Sequence, residues 1–209
     1  MRITAVIALA AVLAPLFAQA QPRQQKPVQP SGPALSAARS LMAGAMLSVF
    51  VSRAPDGARL AIARPADPPA AAIVVVELAG RLSASLLAPG EAGAYELRLT
   101  RDQDGAPAIL LRQSLVITPP EATLAAPARI GRGQALPVRG IGPNGERDRV
   151  VLVPAGAPLD AEGPYFFPHE NVEATLDASE QPGAYELRYV MDAPVSGRRV
   201  LATRALSVE

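Results

Sequence analysis

The side chains that most often perform catalysis or hold metals are scarce in this sequence. There is no cysteine and a single histidine, His169, so thiolate sites, paired-histidine metal sites and most histidine-based triads are excluded. His169 lies between Pro168 and Glu170, which favours an exposed loop residue over a catalytic base. The serines on strand-like segments have no G-x-S-x-G elbow and no base beside them; they are Ser83, Ser85, Ser114 and Ser207. The sequence therefore predicts no catalytic site, no metal site and no cofactor.

Two acidic stretches and two glycine pairs also resemble parts of ligand sites. Residues 102–105, DQDG, and residues 144–146, NGE, are predicted to be hairpin turns, because Asn, Asp and Gly accept positive φ. A calcium loop would need several more oxygen ligands at alternate positions. The glycine pairs in residues 131–133 and 140–142 lack the strand-to-helix context of a phosphate loop. We predict that they are turns on either side of a strand at 134–139.

Three consecutive aromatic residues, Tyr165, Phe166 and Phe167, form the strongest candidate contact surface. Neighbouring residues on a strand point to opposite faces of the sheet, so at least one of these rings must point outward. With Arg147 or Arg149 on the adjacent strand, that ring could contact a protein or a glycan. The arrangement that the sequence favours is the plainer one, in which two rings fill the interior of the fold and the third lies along its rim. The candidate partner-contact patch, as the alternative, is made of these three aromatics and two arginines.

The N-terminus has the pattern of a secretory signal peptide. Arg2 supplies the positive charge, residues 3–17 are almost entirely apolar, and residues 18–20, AQA, form a small-x-small cleavage site. We predict a signal peptide over 1–20, and a periplasmic location with the cell surface or secretion as alternatives. No later segment approaches the roughly 18 apolar residues of a membrane span, so no span is expected in the mature chain.

The segment that follows, residues 21–32, is rich in Pro and Gln and has no apolar periodicity. We predict that it is a flexible linker. The chain as a whole has a formal net charge of +1. That balance gives no electrostatic reason to expect nucleic acid or an anionic membrane as a partner.

An internal repeat organises the rest of the chain. The hexapeptide GAYELR occurs at residues 93–98 and again at 183–188, an offset of 90. Leu47 and Val49 match residues 136 and 138, and the Pro-Ala pair at 65–66 matches the pair at 154–155, both at an offset of 89. The sequence therefore predicts two copies of one fold, at 33–120 and 121–209, with Pro119-Pro120 as the hinge.

Each copy shows short apolar runs separated by Gly, Pro and Asp, which predicts seven β-strands. The first of these strands is expected near 34–42 in the first copy and near 123–130 in the second. The residues around 34–46 would also suit a helix, but their place in the repeat favours a strand. A tyrosine follows a glycine turn in each copy, Tyr95 in the first and Tyr185 in the second. It stands two residues before an inward leucine. This pattern resembles the structural tyrosine corner of immunoglobulin-type sandwiches, in which the phenol bonds an upstream backbone group. We predict an all-β chain of two tandem immunoglobulin-like β-sandwiches, with Glu186 and Arg188 on a solvated sheet face.

The second copy carries a longer pattern. Residues 148–158, DRVVLVPAGAP, precede the aromatic segment, and residues 182–189, PGAYELRY, follow it. This resembles the immunoglobulin-like repeats of exported bacterial proteins that also carry a von Willebrand factor A domain. That domain itself is absent, because residues 177–180, DASE, are the nearest match to its D-x-S-x-S metal motif and fail at the last position.

The resemblance implies an envelope accessory or binding module. We expect a non-enzymatic exported protein that recognises an envelope protein or a glycan through sandwich edges or loops. A purely structural spacer without its own ligand is the alternative. An enzyme would need convergent carboxylates, or a serine with a base, in one pocket.

Overall fold

The structure is a computed structural model that describes residues 32–209. The predicted signal peptide and nearly all of the predicted linker lie outside the described residues. Within the described range the chain forms sixteen β-strands and no helix, and so offers no apolar helix that could cross a membrane. The segment around 34–46 is strand, as its place in the repeat predicts.

Each copy of the repeat contributes eight strands. Those of the first copy are β1 (Ala34–Ala37), β2 (Ser40–Met42), β3 (Met46–Ser52), β4 (Arg59–Ala63), β5 (Val74–Glu77), β6 (Ser83–Leu87), β7 (Gly93–Gln103) and β8 (Ala106–Thr118). Those of the second copy are β9 (Thr123–Ala125), β10 (Arg129–Ile130), β11 (Ala135–Ile141), β12 (Arg149–Pro154), β13 (Tyr165–Phe166), β14 (Glu173–Asp177), β15 (Gly183–Ala193) and β16 (Gly197–Val208).

These strands form one two-sheet sandwich in each copy. The first copy combines a three-stranded sheet, β1-β3-β6, with a five-stranded sheet, β2-β8-β7-β4-β5. The second copy repeats the arrangement with β9-β11-β14 and β10-β16-β15-β12-β13. The prediction of two tandem immunoglobulin-like sandwiches is confirmed.

The first strand of each copy differs from its prediction. We expected single strands at 34–42 and 123–130, and each is divided between the two sheets. In the first copy β1 pairs antiparallel with β3, whereas β2 pairs parallel with β8 in the other sheet. In the second copy Pro127 lies in the break; it has no N–H to donate, so a continuous ladder cannot pass through it.

The structure confirms one of the two predicted hairpin turns and contradicts the other. Asp104 and Gly105 have φ values of 52° and 82° and join β7 to β8, so the DQDG stretch is a hairpin turn. The prediction of a hairpin at 144–146 is wrong, because this segment joins β11 to β12 and those strands belong to different sheets. Gly140 also lies within β11 and not in a turn.

The interior of each sandwich follows from strand alternation. Along β3 the buried residues alternate with exposed ones, so that Leu47, Val49 and Val51 point inward. Leu97 and Leu187, which occupy the equivalent position of the hexapeptide in each copy, are both fully buried. The two copies therefore have separate apolar cores of the same design.

The arginine of the hexapeptide is buried in both copies. Arg98 has no exposed surface, and its guanidinium donates to the carbonyl oxygens of Arg64, Asp67 and Pro68 at 2.9, 3.0 and 3.2 Å. These carbonyls belong to the loop that leaves β4. The guanidinium also bonds the Glu96 carboxylate at 2.9 Å.

Arg188 makes most of these contacts in the second copy, where it bonds two loop carbonyls, those of Ala157 and Pro158, and the Glu186 carboxylate. Arg188 is only 8% exposed, so the prediction of a solvated sheet face is wrong. The loop after β12 covers that face, which strand alternation by itself does not reveal. We call each set of arginine–carbonyl contacts an arginine clamp.

The clamps also correct the register of the repeat. Ala63 pairs with Glu96 and Val153 pairs with Glu186, so β4 and β12 correspond at an offset of 90. The sequence match of the two Pro-Ala pairs at an offset of 89 is therefore displaced by one residue. The clamp holds its loop through backbone carbonyls, and any residue supplies a carbonyl. The position of the turn along the sequence is therefore not fixed by which residues form it.

The two sandwiches contact each other through glycine backbone. The Gly90 N–H donates to the Pro194 carbonyl at 2.8 Å, and Arg199 donates to the Gly90 carbonyl at 2.6 Å. A Cβ atom added at Gly145 would lie 2.5 Å from the Gly44 carbonyl oxygen, so this contact requires glycine. The two copies therefore form one compact unit over residues 32–209.

The first prediction concerns the clamp. We expect Arg98→Met to lower the free energy of unfolding by about 3 kcal/mol, because three loop carbonyls and Glu96 lose a buried charged donor. Arg112→Met is the matched control, since Arg112 bonds the same Glu96 oxygen from a half-exposed position. It should cost less than about 1 kcal/mol. Urea unfolding of both variants measures the difference, and equal costs would contradict the clamp.

Candidate functional site

A groove of about 700 Å³ lies beside β12 in the second sandwich. Ten residues line it: Glu146, Arg147, Arg149, Glu162, Gly163, Tyr165, Phe167, Val190, Asp192 and Arg198. The groove therefore contains four of the five residues of the predicted contact patch. The fifth, Phe166, does not line it.

Strand alternation explains the division of the three aromatics. Tyr165 and Phe167 point to the groove side, and their rings meet edge to face with centroids 5.3 Å apart. Phe166 points the other way and packs against the core of the second sandwich. The interpretation that two of the three rings fill the interior is thus incorrect, because only Phe166 does so. Tyr165 is 51% exposed and presents its ring to the groove.

The charged groups of the groove come from three places along the chain. Arg147 and Arg149 flank the start of β12, Arg198 lies on β16, and the carboxylates are those of Glu146, Glu162 and Asp192. Arg198 and Asp192 pair with each other at 3.4 Å. Among the described residues, no ion pair involves the other four charged groups of the groove.

The Arg188 clamp fixes one wall of this groove. By holding the Ala157 and Pro158 carbonyls, it keeps the loop after β12 against the sheet. Beneath that loop, Val151, Val153 and Val190 form a small buried cluster. The chain then continues to Gly163 and Tyr165, so the clamp and the cluster together position the aromatic wall.

A buried carboxylate fixes the opposite side. Asp148 has no exposed surface, and its oxygens accept hydrogen bonds from the Gly145 N–H, the Asp192 N–H and the Tyr189 hydroxyl at 3.0, 3.1 and 2.9 Å. Burial raises the pKa of the Asp148 carboxyl, and these three hydrogen bonds act in the opposite direction. Burial and the neighbouring Asp148 charge likewise raise the pKa of Tyr189.

This network holds the backbone segment that contains Arg147 and Arg149. Asp148 lies between Arg147 and Arg149, and the Tyr189 hydroxyl accepts the Asn144 N–H at 2.8 Å. The 144–149 segment therefore has a defined backbone position although it connects two different sheets. Both carboxylate oxygens of Asp148 accept hydrogen bonds from protein donors, which gives the network a structural role.

The remaining predicted residues lie away from the groove or at its edge. Tyr95 donates to the Glu91 carbonyl at 3.2 Å, and Tyr185 donates to the Gln181 carbonyl at 3.1 Å, which is the hydrogen bond of a tyrosine corner. His169 is partly exposed, with its ring 5.9 Å from that of Phe167. Within residues 32–209, no cluster of three His, Asp or Glu side chains is placed to hold a metal ion.

Sequence reasoning missed several residues of the site. Arg198 and Asp192 carried no signal, since both lie on the β15-β16 hairpin, distant in sequence from the aromatic segment. Glu162 is only three residues before Tyr165, but no motif singled it out. Tyr189 and Asp148 were both within the quoted patterns, but nothing in those patterns indicated that the two side chains meet. The exact repetition of Arg98 as Arg188 was the one available sign of a buried role.

A second, shallower depression of about 500 Å³ lies on the outer face of the β9-β11-β14 sheet. Its lining is mostly Ala, Pro, Val and Thr, with one charged pair in which Arg139 lies 3.5 Å from Glu173. It offers no aromatic ring and no buried polar group. The groove beside β12 is therefore the better candidate for a ligand site.

No family model and no curated protein matches this sequence. Among solved structures the chain is similar to the human OSCAR ligand-binding domain, with 19% identity over 84% of this chain and 97% of that one and a TM-score of 0.30. It is also similar to a two-domain fibronectin type-III segment of chicken tenascin, with 15% identity over 83% and 97% of the chains and a TM-score of 0.32. These TM-scores are too low to carry an argument about function.

The second prediction concerns the buried network. We expect Tyr189→Phe to lower the free energy of unfolding by about 2 kcal/mol, because the Asn144 N–H and the Asp148 carboxylate lose their shared partner. Tyr165→Phe removes an equivalent hydroxyl that is exposed in the groove, and it should leave stability unchanged. Denaturant titration of the two variants makes the comparison. A stable Tyr189→Phe variant would show that the network does not fix the 144–149 segment.

Proposed function

We propose that this chain is a non-enzymatic, exported binding module of the bacterial envelope, located in the periplasm, whose second sandwich receives its ligand in the groove beside β12. The observation that carries the proposal is the groove itself. It brings Tyr165 and Phe167 together with arginines from two separate segments of the chain. Tyr and Arg are the side chains most enriched where proteins bind their partners.

The rigidity of the site supports the same function. The aromatic wall is held by the Arg188 clamp, and the segment that carries Arg147 and Arg149 is held by the Asp148 network. A site whose side chains are fixed before binding loses less conformational entropy when a ligand arrives. The signal-peptide pattern at residues 1–20 supports export. The likeness of the second copy to repeats that accompany von Willebrand factor A domains supports an accessory role in an envelope assembly.

The third prediction tests binding directly. Protein comprising residues 21–209 is used to retain a partner from envelope extract, and the groove is changed by Tyr165→Ser with Phe167→Ser. We expect the partner to be lost, because the aromatic wall is removed. Phe50→Ser is the matched control, since Phe50 is 63% exposed on the first sandwich. Circular dichroism verifies folding, and equal retention by all three proteins would contradict the groove as the binding site.

A second candidate function is a structural spacer with no ligand of its own. The contacts between the two sandwiches favour it, because Gly90 and Gly145 allow backbone to approach backbone at buried positions. A joint of this kind resists bending at Pro119-Pro120. Binding and spacing are compatible, since a rigid joint would also hold the groove at a fixed distance from the N-terminus of the first sandwich.

The fourth prediction tests this joint. We expect the unaltered protein to unfold in one calorimetric transition, and Gly90→Ala and Gly145→Ala each to show two, because a Cβ at either position forces the sandwiches apart. The added Cβ would lie 2.0 Å from the Ser196 Oγ at Gly90 and 2.5 Å from the Gly44 carbonyl oxygen at Gly145. Gly32→Ala is the control, because it has open space around it. Unchanged calorimetric profiles in both variants would contradict a rigid joint.

A further inference from the structure

We infer that the groove beside β12 takes a neutral oligosaccharide, an inference that rests on the proposed function of the same site. The charges that line the groove are balanced. Three guanidinium groups and three carboxylates line the groove: Arg147, Arg149, Arg198, Glu146, Glu162 and Asp192. Their charges sum to zero. The groove therefore exerts no net attraction on a polyanion such as nucleic acid or an acidic polysaccharide.

The charged groups of the groove form two complementary kinds of hydrogen bond. A guanidinium only donates and a carboxylate only accepts. A sugar hydroxyl does both, so a ligand dense in hydroxyls uses the two kinds of side chain together. A ligand carboxylate or phosphate would pair with Arg147 or Arg149 but would be repelled by Glu146 and Glu162. In the described part of the chain these four side chains have no ion-pair partner and remain available to a ligand.

The aromatic wall of the groove suits the apolar face of a sugar ring. One face of a pyranose ring presents C–H groups and is apolar, so it packs against an aromatic ring. Tyr165 offers such a ring, half exposed and supported from the side by Phe167. The volume of about 700 Å³ lies in the range of small-ligand sites.

A peptide fits this groove less well. Extended peptides commonly bind by adding a strand to a free sheet edge. Here β13 already occupies the edge of β12, with Val150 opposite Phe166 and Val151 opposite Tyr165. The Leu152 N–H is bonded to the Pro164 carbonyl at 2.9 Å. The backbone of β12 at this edge is thus not available for strand addition, and the edge strand β13 offers only two residues to an added strand.

The experiment is calorimetric titration of protein expressed from the full-length sequence. The probes are neutral oligosaccharides of β-1,4-glucan, α-1,4-glucan and N-acetylated chitin, with oligogalacturonate as the acidic comparison. We expect one or more neutral probes to bind, with an affinity that changes less than about twofold between low and high salt. Tyr165→Ala and Arg149→Gln should each weaken binding about tenfold. Phe50→Ala should leave it unchanged.

The outcomes separate this inference from the proposed function. If no neutral probe binds, or if oligogalacturonate binds best with strong salt dependence, the inference is overturned. If a protein from envelope extract is instead retained through Tyr165 and Phe167, the proposed function stands without the glycan. If neither kind of binding depends on the groove, both are wrong.

Discussion

The buried guanidinium of each arginine clamp is the interaction on which the rest of this structure depends. A charge in the interior is costly unless its donors find partners, and here backbone carbonyls and one glutamate carboxylate supply them. The loops that supply these carbonyls are rich in proline and do not form ladders, so their acceptors would otherwise be unpaired. Arg98 and Arg188 therefore bind the loop after β4 or β12 to the sheet. In the second copy the same contact determines where the aromatic strand β13 lies.

A second chain of contacts connects the groove to the joint between the sandwiches. Asp148 accepts the Asp192 N–H, and the chain continues through Ala193 to Pro194, whose carbonyl accepts the Gly90 N–H. On β16, Arg198 points to the groove whereas its neighbour Arg199 donates to the Gly90 carbonyl. The β15-β16 hairpin thus belongs to the groove and to the joint. A displacement of the hairpin at the groove or at the joint is therefore transmitted to the other place through a few hydrogen bonds.

The two copies have used the same scaffold differently. Both keep the clamp, the tyrosine corner and the paired sheets. Only the second copy places aromatic residues on the strand after the clamped loop; the corresponding strand of the first copy, β5, is VVVE. Of the two described copies, only the second has an aromatic-lined groove. This local difference accounts for it, because the supporting framework is the same in both copies.

The sequence alone determined the fold class, the repeat and the approximate strands, because alternation and repetition are local properties that survive in a linear pattern. It also predicted that Tyr165, Arg147 and Arg149 would lie together. The tertiary structure decided which side each aromatic ring faces, since the face depends on the register of a two-residue edge strand. It likewise decided that Arg98 and Arg188 are buried, and that Arg198 and Glu162 join the groove. These outcomes depend on loops packing over a sheet and on contacts between distant segments, which no local pattern of residues encodes.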